Sequence, residues 1–258
     1  MSNLTRRILT AALLLPLTIG WILYMPSPWF DWVFGALVAL AAIELMALFK
    51  LPQGKWFVGM AIGALVLLLL GAGFVMVLFM LALGWLLLMF CMLGDAGQLQ
   101  RLALAQWMMV WLLVFFWIGM QVHGQEHGNF FILGACLGTW ASDIAAYFTG
   151  KHFGRRKLCP GISPGKTWEG VMGAFAVGVP VAAICWGMLL PLSAGFAVFL
   201  GCVLVATGIV GDLAESAMKR SVGCKDSGHL LPGHGGLLDR IDAVVISLSA
   251  TGLIWLSL

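Results

Sequence analysis

Carboxylates, cations and glycines crowd into one interval of this 258-residue chain, Gly211 to Asp242. The interval reads GDLAESAMKRSVGCKDSGHLLPGHGGLLDRID and carries Asp212, Glu215, Lys219, Arg220, Lys225, Asp226, Asp239, Arg240 and Asp242. Five carboxylates beside four cations are more than a connector between apolar segments requires. In DLAESAMK, Asp212, Glu215 or Ser216, and Lys219 recur at i, i+3/i+4 and i+7, so a helix there puts them on one face. The middle, SVGCKDSGHLLPGHGG, reads as loop. Gly233, Gly235 and Gly236 around His234 admit positive φ and close approach of backbone to a ligand. LLDRID then sets Asp239 and Asp242 at i, i+3, one above the other as the next helix begins. This mixture suits a metal-bridged phosphate site. Carboxylate oxygens hold Mg²⁺, cations hold phosphate oxygens, and backbone N–H groups complete the cradle. A solvated, salt-bridged loop is the competing reading of the same charges.

A second polar stretch runs from Ser142 to Gly170, SDIAAYFTGKHFGRRKLCPGISPGKTWEG. Asp143 falls inside an apolar run, near one end, where an ionisable side chain is expensive and reads as functional. A cap on a neighbouring helix, or a partner for a nearby lysine, is the plainer alternative. Ser163-Pro164 has the form of an N-cap followed by proline at the first helical position. A helix starting there would aim free N–H groups, with Gly165 and Lys166, at an anion. Gly165-Lys166-Thr167 resembles the end of a P-loop, but Pro160 stands where that motif needs glycine. Lys151, Arg155, Arg156 and Lys157 form a basic cluster that serves equally well as a membrane anchor or a substrate contact.

The string S-x-M-K-R-x4-K-D-x-G-x2-L-P-G-H-G-G-L-x-D-R-I-D, from Ser216 to Asp242, resembles the signature of the phosphatidate cytidylyltransferases, or CDP-diacylglycerol synthases. S-P-G-K-T-W-E-G, after an A-Y-F-x-G segment, is similar to the same family. Ile144 departs from it, because the family has a small residue near that position. The resemblance implies a membrane enzyme joining CTP to phosphatidic acid, with a two-cation centre. Residue by residue, it implies Asp212, Asp239 and Asp242 as metal ligands, with Asp143 or Asp226. Lys166, Lys219, Arg220, Lys225 and Arg240 would hold phosphates. His234, Gly235 and Gly236 would line the nucleotide or pyrophosphate region, with Ser163, Pro164 and Gly165 as further substrate contacts. It implies a bacterial inner membrane and is compatible with a homodimer.

These stretches need elements to hold them. At 62% hydrophobic and 10% charged, with mean hydropathy +1.02, the chain is no soluble globular domain. Apolar runs of about 20 residues, enough to cross a bilayer, recur throughout. The pattern predicts an all-α polytopic membrane protein of about nine spans, near 8–25, 29–49, 56–71, 73–93, 102–122, 130–149, 169–190, 194–211 and 243–258. It is a single membrane domain, 1–258, whose motif-bearing half is about 130–258. The first span lacks a small-x-small cleavage site at Tyr24-Met25-Pro26-Ser27-Pro28 and is expected to stay in place. With nine spans, all fourteen Lys and Arg fall on one side. The positive-inside rule makes that side cytoplasmic, together with both polar stretches. A basic cytoplasmic face suits anionic headgroups or a nucleoside triphosphate, and nothing in the pattern suggests nucleic-acid binding.

Other features read as structural. The six cysteines lack C-x2-C spacing, so neither zinc nor disulfides are expected. Glu44 and Asp95 are expected at the membrane interface, and Trp29, Trp32 and Trp56 read as belt residues. His123-Gly124-Gln125-Glu126-His127 fits the inverted zinc-peptidase pattern H-x-x-E-H. That chemistry needs both histidines on one helical turn and a third ligand, whereas glycines surround this motif.

The sequence therefore reads as an integral membrane nucleotidyltransferase with its site at the cytoplasmic interface. A CTP-dependent enzyme for another lipid phosphate or a polyprenol shares this chemistry. A transporter would set its charges near the midplane and show repeats; here they cluster at one end.

Overall fold

The computed structural model describes residues 3–50, 54–91, 96–228, 230 and 235–258. Nine helices occupy them: α1 (Asn3–Tyr24), α2 (Ser27–Phe49), α3 (Gly54–Leu69), α4 (Phe74–Cys91), α5 (Ala96–His123), α6 (Gly128–Phe153), α7 (Trp168–Leu189), α8 (Ala194–Ser221) and α9 (Leu238–Leu256). A short antiparallel hairpin, β1 (Lys157–Cys159) and β2 (Ser163–Thr167), lies between α6 and α7. The helices follow the apolar runs of the sequence in order, and α3 and α4 part at Gly71, whose φ is +83°. Five of them, α2, α5, α6, α7 and α8, are long and apolar enough to cross a membrane. Their outward faces carry exposed Leu, Ile, Phe and Trp, as expected of an integral membrane protein whose surroundings are as apolar as its core.

Without a hydrophobic drive between helices in lipid, close packing holds the bundle, and small residues let backbones approach. α6 packs along α7 in this way. Gly134 lies under the Trp186 indole, and Gly178 faces Ser142 and Val205. Trp186 donates its Nε1–H to the Phe131 carbonyl at 3.0 Å and stacks on the Phe131 ring at 5.0 Å. Phe131 also stacks on Trp255 at 4.6 Å, tying α9 to the pair. α8 packs on both α7 and α9, and α9 on α5.

Three boundaries differ from the sequence reading. α8 does not stop at 211 but runs on to Ser221, carrying DLAESAMK as its last two turns. At about 1.5 Å per residue its 28 residues extend roughly 42 Å, beyond the roughly 30 Å hydrocarbon core of a bilayer. α9 begins at Leu238, ahead of the apolar run at 243. Ser163-Pro164 does not start a helix: it opens β2, and α7 begins at Trp168. Proline fixes φ and lacks an N–H, which suits an edge strand as well as a first helical turn. The N-cap is Thr167, whose Oγ1 accepts from the Gly170 N–H at 3.1 Å.

Candidate functional site

The two polar stretches meet at one end of the bundle. The Lys166 ammonium on β2 lies 2.6 Å from Asp212 Oδ2 on α8. The guanidinium of Arg220, the penultimate residue of α8, donates to the Ile162 carbonyl at 3.4 Å and to the Cys224 carbonyl at 2.8 Å. Glu169 in the first turn of α7 steadies the hairpin by accepting from the Arg155 N–H at 3.1 Å and the Arg156 N–H at 3.2 Å. Trp168 donates its N–H to the Arg156 carbonyl at 2.9 Å. Lys166 is thus delivered by a short strand anchored at both ends.

Carboxylates gather in two groups. The first is Asp143, Asp212 and Asp242, from α6, α8 and α9. Asp143 is in electrostatic contact with Asp212 and Lys166, and Asp212 also accepts from the Ser216 hydroxyl at 3.3 Å. Asp242 stands just ahead of the apolar run of α9. It is half-buried, with Asp212 and Asp143 as its electrostatic neighbours. Gly211 brings these helices together: a Cβ there would lie 2.7 Å from the Asp242 carbonyl oxygen. Glycine at 211 thereby sets Asp212 beside Asp242.

The second group is Glu215 and Asp239 around Lys219, with Glu44 linked to Asp239 through Ser227. Lys219 Nζ lies 2.5 Å from Glu215 Oε2 and 2.7 Å from Asp239 Oδ1, and the lysine is only 9% exposed. Asp239 also accepts from the Ser227 N–H at 3.0 Å and the Gly236 N–H at 2.9 Å. Burial alone would raise its carboxyl, but Lys219 and these two N–H groups outweigh it and hold Asp239 below the ordinary carboxylate range. Gly235, at φ +82°, lets the chain turn under this carboxylate.

The geometry sorts the residues singled out by sequence. Asp212, Ser216 and Lys219 share one face of α8, as their spacing predicts. The sequence grouped Asp239 with Asp242, whereas the structure gives them different company. Asp239 spends both oxygens on Lys219 and on backbone N–H groups, while Asp242 faces Asp212 and Asp143. Lys225, Asp226 and Arg240 are exposed at the same end, as are Pro164 and Gly165 beside the half-buried Ser163. Gly235 and Gly236 border Asp239; His234 and Asp95 lie outside the described residues. Glu44, expected at the interface, is instead 5% exposed and hydrogen-bonded to Ser227 and Leu238. Burial on α2, far from the motifs in sequence, gave no local signal of that role. Glu215 is likewise buried, and only its i, i+4 spacing to Lys219 announced it.

Among the described residues no three His, Cys, Asp or Glu side chains converge as a ready-made metal site. Asp143, Asp212 and Asp242 nonetheless supply the hard oxygen donors that Mg²⁺ takes, and the Lys166 ammonium occupies Asp212 as a cation would. The H-x-x-E-H residues sit elsewhere. His123 ends α5, stacks on Phe30 at 3.7 Å and approaches the Ser27 hydroxyl at 3.4 Å. His127 precedes α6 with φ +62°, so the two histidines do not share a helical turn. Ser27 and Glu44 lie near opposite ends of α2, so this motif and the carboxylate groups lie at opposite ends of the bundle.

A family model, "Cytidylyltransferase family", matches residues 5–257. The chain is 36% identical to a phosphatidate cytidylyltransferase of Pseudomonas aeruginosa, over 98% of this chain and 97% of that protein. It is 42% identical to a phosphatidate cytidylyltransferase of Haemophilus influenzae, over 49% of this chain and 46% of that protein. Identity to a protein of the same name from Bacillus subtilis is 44%, over 46% of this chain and 44% of that protein.

Proposed function

We infer the activity from family and site together: the chain belongs to the cytidylyltransferase family, and its two motif stretches meet in one charged site. It is a phosphatidate cytidylyltransferase. It condenses CTP with phosphatidic acid, giving CDP-diacylglycerol and pyrophosphate for phospholipid synthesis. The observation that carries this is the Lys166–Asp212 contact, which joins the hairpin to α8.

The chemistry follows from the charges. A phosphate oxygen of the lipid attacks the α-phosphorus of CTP in line, the new P–O bond forms, and the bond to the departing pyrophosphate breaks. A phosphomonoester is already ionised near pH 7, so no protein group need remove a proton. Both reactants are polyanions, and positioning and neutralisation are what the protein supplies. Lys166, Lys225, Arg220 and Arg240 would hold phosphate oxygens, the last three from exposed positions. Lys219 is committed to Glu215 and Asp239 and keeps the inner wall in shape.

Asp143, Asp212 and Asp242 would hold Mg²⁺, which when bound screens the triphosphate; a second cation would share these carboxylates. Asp239 we assign to bracing the Ser227 and Gly236 backbone. We also read all nine apolar runs as spans, with the site facing the cytoplasm of a bacterial inner membrane. The basis is the segregation of all fourteen Lys and Arg on that side.

The test is direct. Purified protein with labelled CTP, phosphatidic acid and Mg²⁺ should give a CDP-lipid and pyrophosphate in equal amounts. Turnover of a polyprenyl phosphate with none of phosphatidic acid would overturn the choice of lipid.

A further inference from the structure

Glu44 is a carboxylate where the fold has no need of one. It lies on α2, 183 and 194 residues from its two partners, and is 5% exposed. Burying a carboxylate among apolar helices is unfavourable unless hydrogen bonds compensate it. Here one oxygen does that work. Glu44 Oε2 accepts from the Leu238 N–H at 2.8 Å and from the Ser227 hydroxyl at 3.2 Å. Leu238 is the first residue of α9, so its N–H has no partner within the helix. Oε1 is buried with no hydrogen-bond partner among the described residues, and Gly228 and Gly236 press on it, because a Cβ at either would collide with that oxygen.

These contacts converge on the reacting end. Ser227 gives its hydroxyl to Glu44 and its backbone N–H to Asp239. Gly236 gives its N–H to Asp239 while packing on Glu44. Asp239 in turn holds Lys219. Glu44 therefore fixes both borders of the Gly228–Gly236 interval, the start of α9, and through α9 the placing of Asp239 and Asp242.

We propose that Glu44 is a positioning residue for the cytidylyl transfer, acting as a hydrogen-bond acceptor from the distant helix α2 on Ser227 and Leu238. The proposal rests on the functional reading above. What it requires of Glu44 is an acceptor oxygen at this depth. Glutamine supplies that oxygen; alanine and the shorter aspartate do not.

The experiment measures CDP-diacylglycerol formation by wild type, Glu44→Gln, Glu44→Ala, Glu44→Asp and Ser227→Ala, with thermal unfolding in detergent for each. Loss of contacts to a charged group corresponds to roughly a ten- to hundredfold effect. Glu44→Ala and Glu44→Asp should lose kcat on that scale, with KM for CTP changed less than about threefold. Glu44→Gln should keep kcat within about threefold of wild type. Ser227→Ala should fall between, and should add little to Glu44→Ala in the double variant, because both remove one contact. Maleimide labelling of the half-buried Cys224, located by peptide mapping, supplies a readout independent of turnover. It should speed up in Glu44→Ala and not in Glu44→Gln. A Glu44→Gln enzyme as impaired as Glu44→Ala, a fully active Glu44→Ala enzyme, or unchanged Cys224 labelling would overturn the proposal. A wild-type protein that makes no CDP-lipid would sink the functional reading instead, while the labelling still judges the brace.

Discussion

Lys166 and Asp212 meet at 2.6 Å although they are 46 positions apart in sequence and the whole of α7 lies between them. Each is about a quarter to a third exposed, 23% and 33% at the side chain, so the ion pair itself contributes little stability. Its position is more informative than its strength. A phosphate would compete with Asp212 for the ammonium, and a cation would compete with the ammonium for Asp212. On the proposed reading the two residues have separate tasks, Lys166 for phosphate and Asp212 for the cation. Lys166→Ala should lower kcat/KM for CTP roughly ten- to hundredfold, the scale of a lost charge-assisted contact. The charge swap Lys166→Asp with Asp212→Lys should not recover activity, although it keeps the pair. Recovery in the swapped enzyme would mean that the contact is only structural. The measurement is steady-state CTP kinetics on variants shown to be inserted and folded.

Asp239 and Asp242 are one turn apart, yet their surroundings predict different failures. Asp242 has Asp212 and Asp143 as electrostatic neighbours, a crowding of carboxylates that a divalent cation would relieve. Asp242→Asn should therefore raise the Mg²⁺ concentration needed for half-maximal rate several-fold, and excess Mg²⁺ should restore part of the rate. Asp239 instead accepts from Lys219, Ser227 and Gly236. Asp239→Asn should lower kcat with no shift in the Mg²⁺ requirement. Magnesium titrations of both variants decide this, and equal shifts would return Asp239 to the cation set.

The approach of α8 to α9 hangs on a missing side chain. A Cβ at Gly211 would lie 2.7 Å from the Asp242 carbonyl and 3.4 Å from Ala243 Cα, backbone atoms that cannot rotate away. Gly211→Ala should push the helices apart, separate Asp212 from Asp242 and reduce turnover tenfold or more, by about 1.4 kcal/mol or beyond on the barrier. Gly63→Ala is the control, because nothing lies within 4 Å of a Cβ there. It should keep full activity and gain slightly in helix stability. Product assays and detergent melting temperatures check both, and an active Gly211→Ala enzyme would show that this contact does not set the site.

Much of this was legible in the sequence, for physical reasons. The run of apolar segments gave the helices in order, because each must bury or face lipid along its whole length. The i, i+3/i+4, i+7 spacing gave the shared face of Asp212, Ser216 and Lys219, because helical period alone decides it. The spacing could not show where Ser163-Pro164-Gly165-Lys166-Thr167 goes. Both a helix start and an edge strand accept that proline, and the choice was made by the cap at Thr167 and the pairing with Lys157–Cys159. Glu44 was beyond local pattern altogether. A single acid at the end of an apolar helix looks interfacial until the packing of α2 against α9 brings it under Ser227 and Leu238.

The same bundle sets two polar regions at opposite ends, which yields a topological prediction. Ser27 near the start of α2 contacts His123, while Glu44 near its end contacts Ser227. α6 likewise begins beside His127 and ends, 26 residues later, at the hairpin that carries Lys166. At about 1.5 Å per residue, α6 separates the two regions by roughly 38 Å, more than the roughly 30 Å hydrocarbon thickness. On the nine-span reading all fourteen basic residues fall on the hairpin side, and that side is then expected to be cytoplasmic. Single cysteines placed at Gln125 and at Lys225 should therefore label from opposite faces of oriented vesicles, the first from outside and the second only after permeabilisation. His123→Ala with His127→Ala should leave CTP-dependent synthesis intact, since these side chains sit at the far end from the carboxylates. Labelling of both positions from one face would undo the span count, and loss of synthesis in a folded double-histidine variant would tie the far end to the reaction.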